Sequence, residues 1–297
     1  MRAVGGATTE SDALDAGHDV RDLFLTSSLF GVGFVESVAD EDLRDIARDQ
    51  ERRSNGRIRG FVREVRVLEA PGQTAVGRFG WAAQQASLLS FAADAYRNEM
   101  GITSPLQPDD NTFLGNPVDD GVADPEDTGG MFGEDVERFV DFLRALATPP
   151  RIPGDERELA RGSRVFEQIG CAECHVPELE TVRAGTMLHG GTYRVPRALG
   201  NKRFHPYGDY LLHDVGTGPA GLREGLSPEA RGRIRTAALW GLGTRLANGE
   251  RLLHDASAAT LEDAILRHRN TAAAEAEAFE DLDTEDLERL LGFLRSL

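Results

Sequence analysis

Cys171, Cys174 and His175 are the residues of this 297-residue chain whose types and spacing point most directly to chemistry. With Ala172 and Glu173 between them they read C-x-x-C-H, the attachment signature of c-type haem. Two thiols at that spacing can add to the two vinyl groups of one porphyrin. The histidine that follows is then held beneath the iron as its proximal ligand. The chain has only two cysteines, so one covalent haem c is expected. Three other uses compete. A zinc site takes four ligands, yet there is no second Cys pair and only His189 lies close by in sequence. A thioredoxin-like pair sits in a βαβ context, whereas here the upstream run is helical and a histidine follows. Two structural cysteines, free or bridged, are the third.

Haem iron has a second axial position, and its occupant decides the chemistry. His268 is one candidate. Leu261, Ala264, Ile265 and His268 share one helix face at i, i+3, i+4, i+7. An imidazole at the end of that stripe can point into a haem crevice. It can equally be a surface histidine favoured near a helix C-terminus by the dipole. His213 and His254 are the other options, each followed by an acid, Asp214 and Asp255, that could orient the ring.

These residues need elements to hold them. A helix capped by Asp155 or Gly154, with Leu159, Gly162, Val165 and Phe166 on one side, leads into Cys171. A closing helix over 284–297, capped by Thr284, carries Leu287, Leu290, Leu291, Leu294 and Leu297 as an apolar stripe. Such a pair suggests a cytochrome c-like arrangement. The stretch 147–154 holds three prolines and a glycine and reads as a linker, dividing the chain into domains 1–150 and 151–297. Two segments of the first half match the second half in order: 135–146 with 286–297, and 79–88 with 252–261. An internal duplication follows. The first copy has no C-x-x-C-H.

The net charge is −17. That balance argues against nucleic acid and anionic membranes. It suits a basic redox partner, or simply solubility. No apolar run is long enough to span a membrane. The first residues lack the apolar core of a signal peptide, although haem c is attached outside the bacterial cytoplasm, so a periplasmic or otherwise exported chain is expected. The loop 118–130, rich in Asp, Gly and Pro, could hold Ca2+ but does not match the EF-hand pattern and reads as plain loop.

The runs LFGVGFVE (29–36), GRFGW (77–81), NEMGITS (98–104), CAECH (171–175), YLLHD (210–214), RTAALWGLG (235–243) and LHD (253–255) together resemble the di-haem oxidoreductases, relatives of bacterial cytochrome c peroxidases. The resemblance covers nearly everything from Leu29 to Leu297. It implies roles by position. His175 would be proximal to the electron-transfer haem. His268 falls where cytochrome c peroxidases place a methionine and the methylamine-dehydrogenase maturation enzymes a tyrosine, which makes it the distal ligand. Trp81 matches a tryptophan that bridges two haems. Glu99 matches the acid that serves peroxide cleavage. His254 belongs to a His-Asp-Gly-like turn near the haem, with Ala256 in place of the glycine.

One departure is large. The family carries an N-terminal haem with its own C-x-x-C-H, and this chain starts beyond that point. An N-terminal truncation is expected, which would also account for the missing signal peptide. A one-haem relative is the alternative. The expected fold is mostly α, with two cytochrome c-like units, the first incomplete, and long loops over 101–133 and 176–232. The expected function is haem c-based electron transfer. A truncated peroxidase or peroxide-driven oxidase using Glu99 and Trp81, and a degenerate partner-binding module, are the alternatives. A small redox protein or a quinone-linked donor is the expected partner, and a homodimer is an open option.

Overall fold

The computed structural model describes residues 24–113, 116–117, 121–217 and 227–297. It corrects the expected fold class. About 40% of the chain is helical and 10% strand, so it is not the mostly α pair of cytochrome c-like units predicted. Nine α-helices are present among the described residues: α1 (Val32–Glu36), α2 (Asp40–Arg53), α3 (Leu88–Ala95), α4 (Glu134–Ala145), α5 (Glu156–Gln168), α6 (Leu242–Ala247), α7 (Leu261–Leu266), α8 (Ala273–Glu280) and α9 (Thr284–Ser296). Between them lie five antiparallel two-stranded ladders. These pair β1 (Glu64–Arg66) with β2 (Thr74–Val76), β3 (Thr112–Phe113) with β4 (Asn116–Pro117), β5 (Leu179–Glu180) with β8 (Arg203–Phe204), β6 (Met187–Leu188) with β7 (Tyr193–Arg194), and β9 (Leu212–His213) with β10 (Ile234–Arg235). The physical reason is local. Segments punctuated by Gly and Pro cannot sustain a helix, and the apolar residues left between the breaks, such as Tyr193, Phe204, Leu212 and Ile234, are buried by pairing.

Helix ends follow the side chains available there. Asp155 caps α5 by accepting from the amides of Arg157 and Glu158. Asp283, rather than Thr284, caps α9 by accepting from Asp286 N. Each carboxylate satisfies donors that no intrahelical carbonyl can reach. α2 begins with Asp40, Glu41 and Asp42 and ends with Arg52 and Arg53, which matches the helix dipole at both ends. Its buried face is Leu43, Ala47 and Gln50.

Two large cores result. One gathers α1 to α4 and takes in Leu179, Phe204, Leu211 and Trp240 from later in the chain. The other packs α5, α7 and α9 around Phe166, Leu290, Phe293 and Leu294. α5 and α9 cross at Gly162, where a Cβ would run into the Arg289 carbonyl and the Phe293 side chain. Only glycine lets the two backbones approach that closely, and this crossing fixes where α5 delivers Cys171.

The predicted duplication has a geometric counterpart. Phe79 and Gln85 form an isolated antiparallel bridge, as do Leu252 and Ala258. Ser87 then caps α3 by accepting from Ser90 N, and Thr260 caps α7 by accepting from Asp263 N. Inside each turn the same two steps have positive φ: Gly80 and Ala83 in one, Leu253 and Ala256 in the other. A third correspondence was not read from the sequence. Gly31 and Gly241 open α1 and α6 in the left-handed region. Two residues on, a Cβ at Gly33 would strike the Arg144 carbonyl, and one at Gly243 the Arg295 carbonyl.

Glu36, fully buried, ties the first frame together. It accepts from Arg144 Nε at 2.7 Å and Nη2 at 3.0 Å, and from the amide of Leu88 at 2.8 Å. His189 lies 3.9 Å from the same carboxylate. Burial, then Arg78 and Arg144, pull its pKa down to about 3.

Two outcomes follow from this packing. Gly162→Ala should lower stability by about 1–3 kcal/mol, the usual cost of overpacking, read as a shift of the urea midpoint of the haem-loaded protein. His189 stays neutral when folded but takes a proton near pH 6.5 when unfolded. It therefore withdraws stability as pH falls from about 6.5 to about 3. Urea midpoints measured from pH 7 to pH 4 should fall less steeply in His189→Phe than in the wild type. Parallel slopes would refute this.

Candidate functional site

α5 ends at Gln168, and Gly170 turns the chain with φ +89° into a 3-10 turn over Cys171–Glu173. His175 N donates to Cys171 O at 3.0 Å and closes the loop. Both cysteines and His175 thereby face one cavity of about 210 Å³, walled mainly by apolar side chains of α5, α7 and α9. Burial, followed by Glu275 and Cys174, pushes the Cys171 thiol up to about 12. Burial also raises Cys174.

His175 is held from behind. Tyr207, itself at φ +52°, presents its carbonyl 3.0 Å from His175 Nδ1. Nδ1 carries the proton in that bond, and Nε2 keeps its lone pair. Burial, then the neighbouring His268, draws the His175 pKa down to about 4. The ring is neutral at pH 7, as a metal ligand must be.

His268 lies just beyond α7 and lines the same cavity. Its Nδ1 sits 2.9 Å from the Ala264 carbonyl, so it too keeps Nε2 free for a ligand bond. Burial lowers its pKa. Of the two readings open from the sequence, crevice and surface, the structure places His268 in the crevice. Two cysteines and two neutral imidazoles in one apolar cavity are a donor set that fits haem.

The other sequence candidates divide. Trp81 lines this cavity and also a smaller neighbouring one. It donates from Nε1 to Leu25 O at 2.7 Å, and its ring meets His254 edge-on at 6.0 Å. His254 lines the larger cavity. Glu99 is exposed in a π-helical turn, Tyr96–Met100, and lines neither cavity. In the loop 118–130, read as plain loop with Ca2+ as the other option, residues 118–120 lie outside the described residues. The described acids there are engaged by protein: Asp124 with the Thr103 hydroxyl, Asp127 with the amides of Asp135 and Val136. Among the described residues the one convergent group of metal-ligating side chains is Cys174, Asp209 and His213, none of it from that loop.

That group was missed in the sequence. His213 Nδ1 lies 3.7 Å from Cys174 Sγ, and its Nε2 lies 2.8 Å from Asp209 Oδ2. Its orienting acid is thus Asp209, not the adjacent Asp214, which instead accepts from Gly216 N and Asn270 Nδ2. Asp255 accepts from Ser257 N. Asp209 is fully buried. Burial opposes its charge, but His213, the Leu211 amide and Gln50 outweigh it and hold the carboxyl below its usual range. His213 is held well above its ordinary value, with Asp209 and then Cys174 overcoming burial. The signal available was the i, i+4 spacing of Asp209 and His213.

A sequence model of the family described as "Di-haem oxidoreductase, putative peroxidase" matches residues 10–297. The chain belongs to this family. Haem is therefore the cofactor of this oxidoreductase scaffold. None of the curated proteins matches the chain. Among solved structures, it is similar to a chain of Kuenenia stuttgartiensis hydrazine synthase pressurised with 20 bar xenon, at 21% identity and a TM-score of 0.36. That alignment covers 56% of each chain, and a likeness of that size carries no argument. No described helix is long and apolar enough to cross a membrane.

The His-Asp-Gly-like turn gives a stability prediction. Ala256 occupies φ +57°, a region that costs an L-residue with a Cβ roughly 1–2 kcal/mol. Ala256→Gly should raise stability by about 1 kcal/mol without moving the optical spectrum of the loaded protein. A lower denaturation midpoint would contradict the assigned backbone.

Proposed function

We propose that this member of the di-haem oxidoreductase family is a c-type haem protein that transfers single electrons. Cys171 and Cys174 hold the haem by thioether bonds, His175 is the proximal ligand and His268 the distal one. One observation carries this reading. Both histidines face one cavity, each with Nδ1 engaged by a backbone carbonyl and Nε2 left to bind. The haem, when bound, supplies an iron that gains and loses one electron.

The protein's own residues do the rest. Tyr207 and Ala264 fix the two imidazole tautomers. The apolar wall of α7 and α9 excludes water, which keeps both rings neutral and strengthens the ligand field's dependence on its surroundings. With two imidazoles engaged, no position remains for peroxide at this site. Export to the compartment where haem c is attached, the division at 147–154, and a small basic redox partner or quinone-linked donor belong to the same proposal. A surface of net charge −17 speeds encounter with such a basic partner.

A second reading, peroxidase-type relay, has one observation in its favour. Trp81 stands on the wall common to both cavities, where an aromatic could pass electrons between them. Glu99 gives it no support, being exposed outside both.

The test is an optical spectrum of the chain expressed with haem-maturation machinery, reduced and exposed to carbon monoxide. The wild type should be low-spin and ignore carbon monoxide. His268→Ala should bind it. A high-spin wild type that binds carbon monoxide would remove His268 as a ligand and reopen the peroxide reading.

A further inference from the structure

Arg235 on β10 is buried without a counter-ion. Its Nε donates to Gly80 O at 2.8 Å and one Nη to Thr236 O at 3.0 Å. No carboxylate among the described residues forms an ion pair with it. Asp209, the acid that influences it, is already engaged by His213, Gln50 and the Leu211 amide. The other cations at these cavities differ: Arg78 is paired with Asp40, and Arg245 with Glu250.

Beside Arg235 lies a second uncompensated group. The guanidinium sits 5.5 Å from the centre of the Tyr210 ring, and the Tyr210 hydroxyl is buried with no hydrogen-bond partner among the described residues. Both residues line the smaller cavity, of about 50 Å³. That is several times the roughly 10–15 Å³ needed for one water, so a few heavy atoms fit. Arg235 also lines the larger cavity that holds Cys171, Cys174 and His175. It therefore stands at the passage between the two.

A buried cation without a counter-ion and a buried hydroxyl without a hydrogen-bond partner among the described residues are each unfavourable. One ligand chemistry satisfies both: a carboxylate, which accepts from a guanidinium and from a phenol together. A porphyrin bound through its vinyl edge carries two such groups on the opposite edge. We propose that Arg235 and Tyr210 form the receiving site for a propionate carboxylate of the haem held at Cys171 and Cys174. The proposal rests on the haem reading above and assigns these two residues a binding role within it.

The experiment uses the haem-loaded chain as wild type, Arg235→Leu, Arg235→Lys and Tyr210→Phe. Resonance Raman bands of propionate bending report direct contact, and the midpoint potential reports the nearby charge. Both Arg235→Leu and Tyr210→Phe should shift the propionate bands. The potential should fall in Arg235→Leu, because a cation near the iron favours the reduced state, and should largely recover in Arg235→Lys. If Arg235→Leu fails to load, Tyr210→Phe and Arg235→Lys still decide the question through the bands. Unmoved bands in every variant that loads would overturn the proposal. So would an acetate titration that shifts the wild-type potential, is lost in Arg235→Leu, and leaves the bands alone, since the site would then take a free anion. A wild-type chain that acquires no haem would defeat the haem reading itself, a result distinct from either of these.

Discussion

The carboxylate of Asp209 must stay charged where no water reaches it, and much of the molecule is arranged around that constraint. A buried anion is tolerated only with partners that satisfy its lone pairs. Asp209 takes one from the Leu211 amide two residues on, one from His213, and one from Gln50 of α2. Gln50 also donates to Glu173 O and accepts from Gly60 N. A single acid thus links the first helical core, the β9 strand and the turn that carries both cysteines.

The two frames described by the duplication share a backbone and differ in what they hang on it. Where the later frame places His254, the earlier one places Trp81. Where the run beyond Thr260 reaches His268, the corresponding run beyond Ser87 reaches Ala95. The shared features are the ones backbone geometry demands: a bridge, two positive-φ steps, a capping hydroxyl and a glycine beneath a helix-terminal carbonyl. The chemistry sits on positions that the frame leaves free. One fold can therefore present a histidine on one side and an aromatic wall on the other without altering its packing.

Much of this was legible in the residues because it is local. C-x-x-C-H, the Asp155 cap and the stripe of Leu290, Leu291 and Leu294 depend on neighbours within a turn or two. Leu261, Ala264 and Ile265 share the predicted α7 face, but the helix ends at Leu266, so His268 reaches the cavity from just beyond it. What escaped is long-range or set by loops. Asp209 as the orienter of His213 requires a bend between them that no periodicity encodes, and the adjacent Asp214 was the natural guess. Strands β5 to β9 lie in what reads as loop, because two-residue strands leave no alternation to detect. The mostly α expectation failed there. Gly33 and Gly243 looked unremarkable until each was found against a carbonyl more than 50 residues away in the chain.

The reach of Gln50 also bears on how the chain folds. Its bonds to Glu173 and Asp209 span sequence separations of 123 and 159 residues. Closing a loop that long costs on the order of 4 kcal/mol in chain entropy before any contact rewards it. That closure is a cost which α5 and its 3-10 turn, built from local contacts, do not bear. Until the long-range contacts form, Cys174 is not yet braced by His213 and Asp209, and its sulfur is open to reagents that the finished core excludes. The folding schedule, and not only the folded shape, therefore sets a window in which covalent chemistry at this turn can occur.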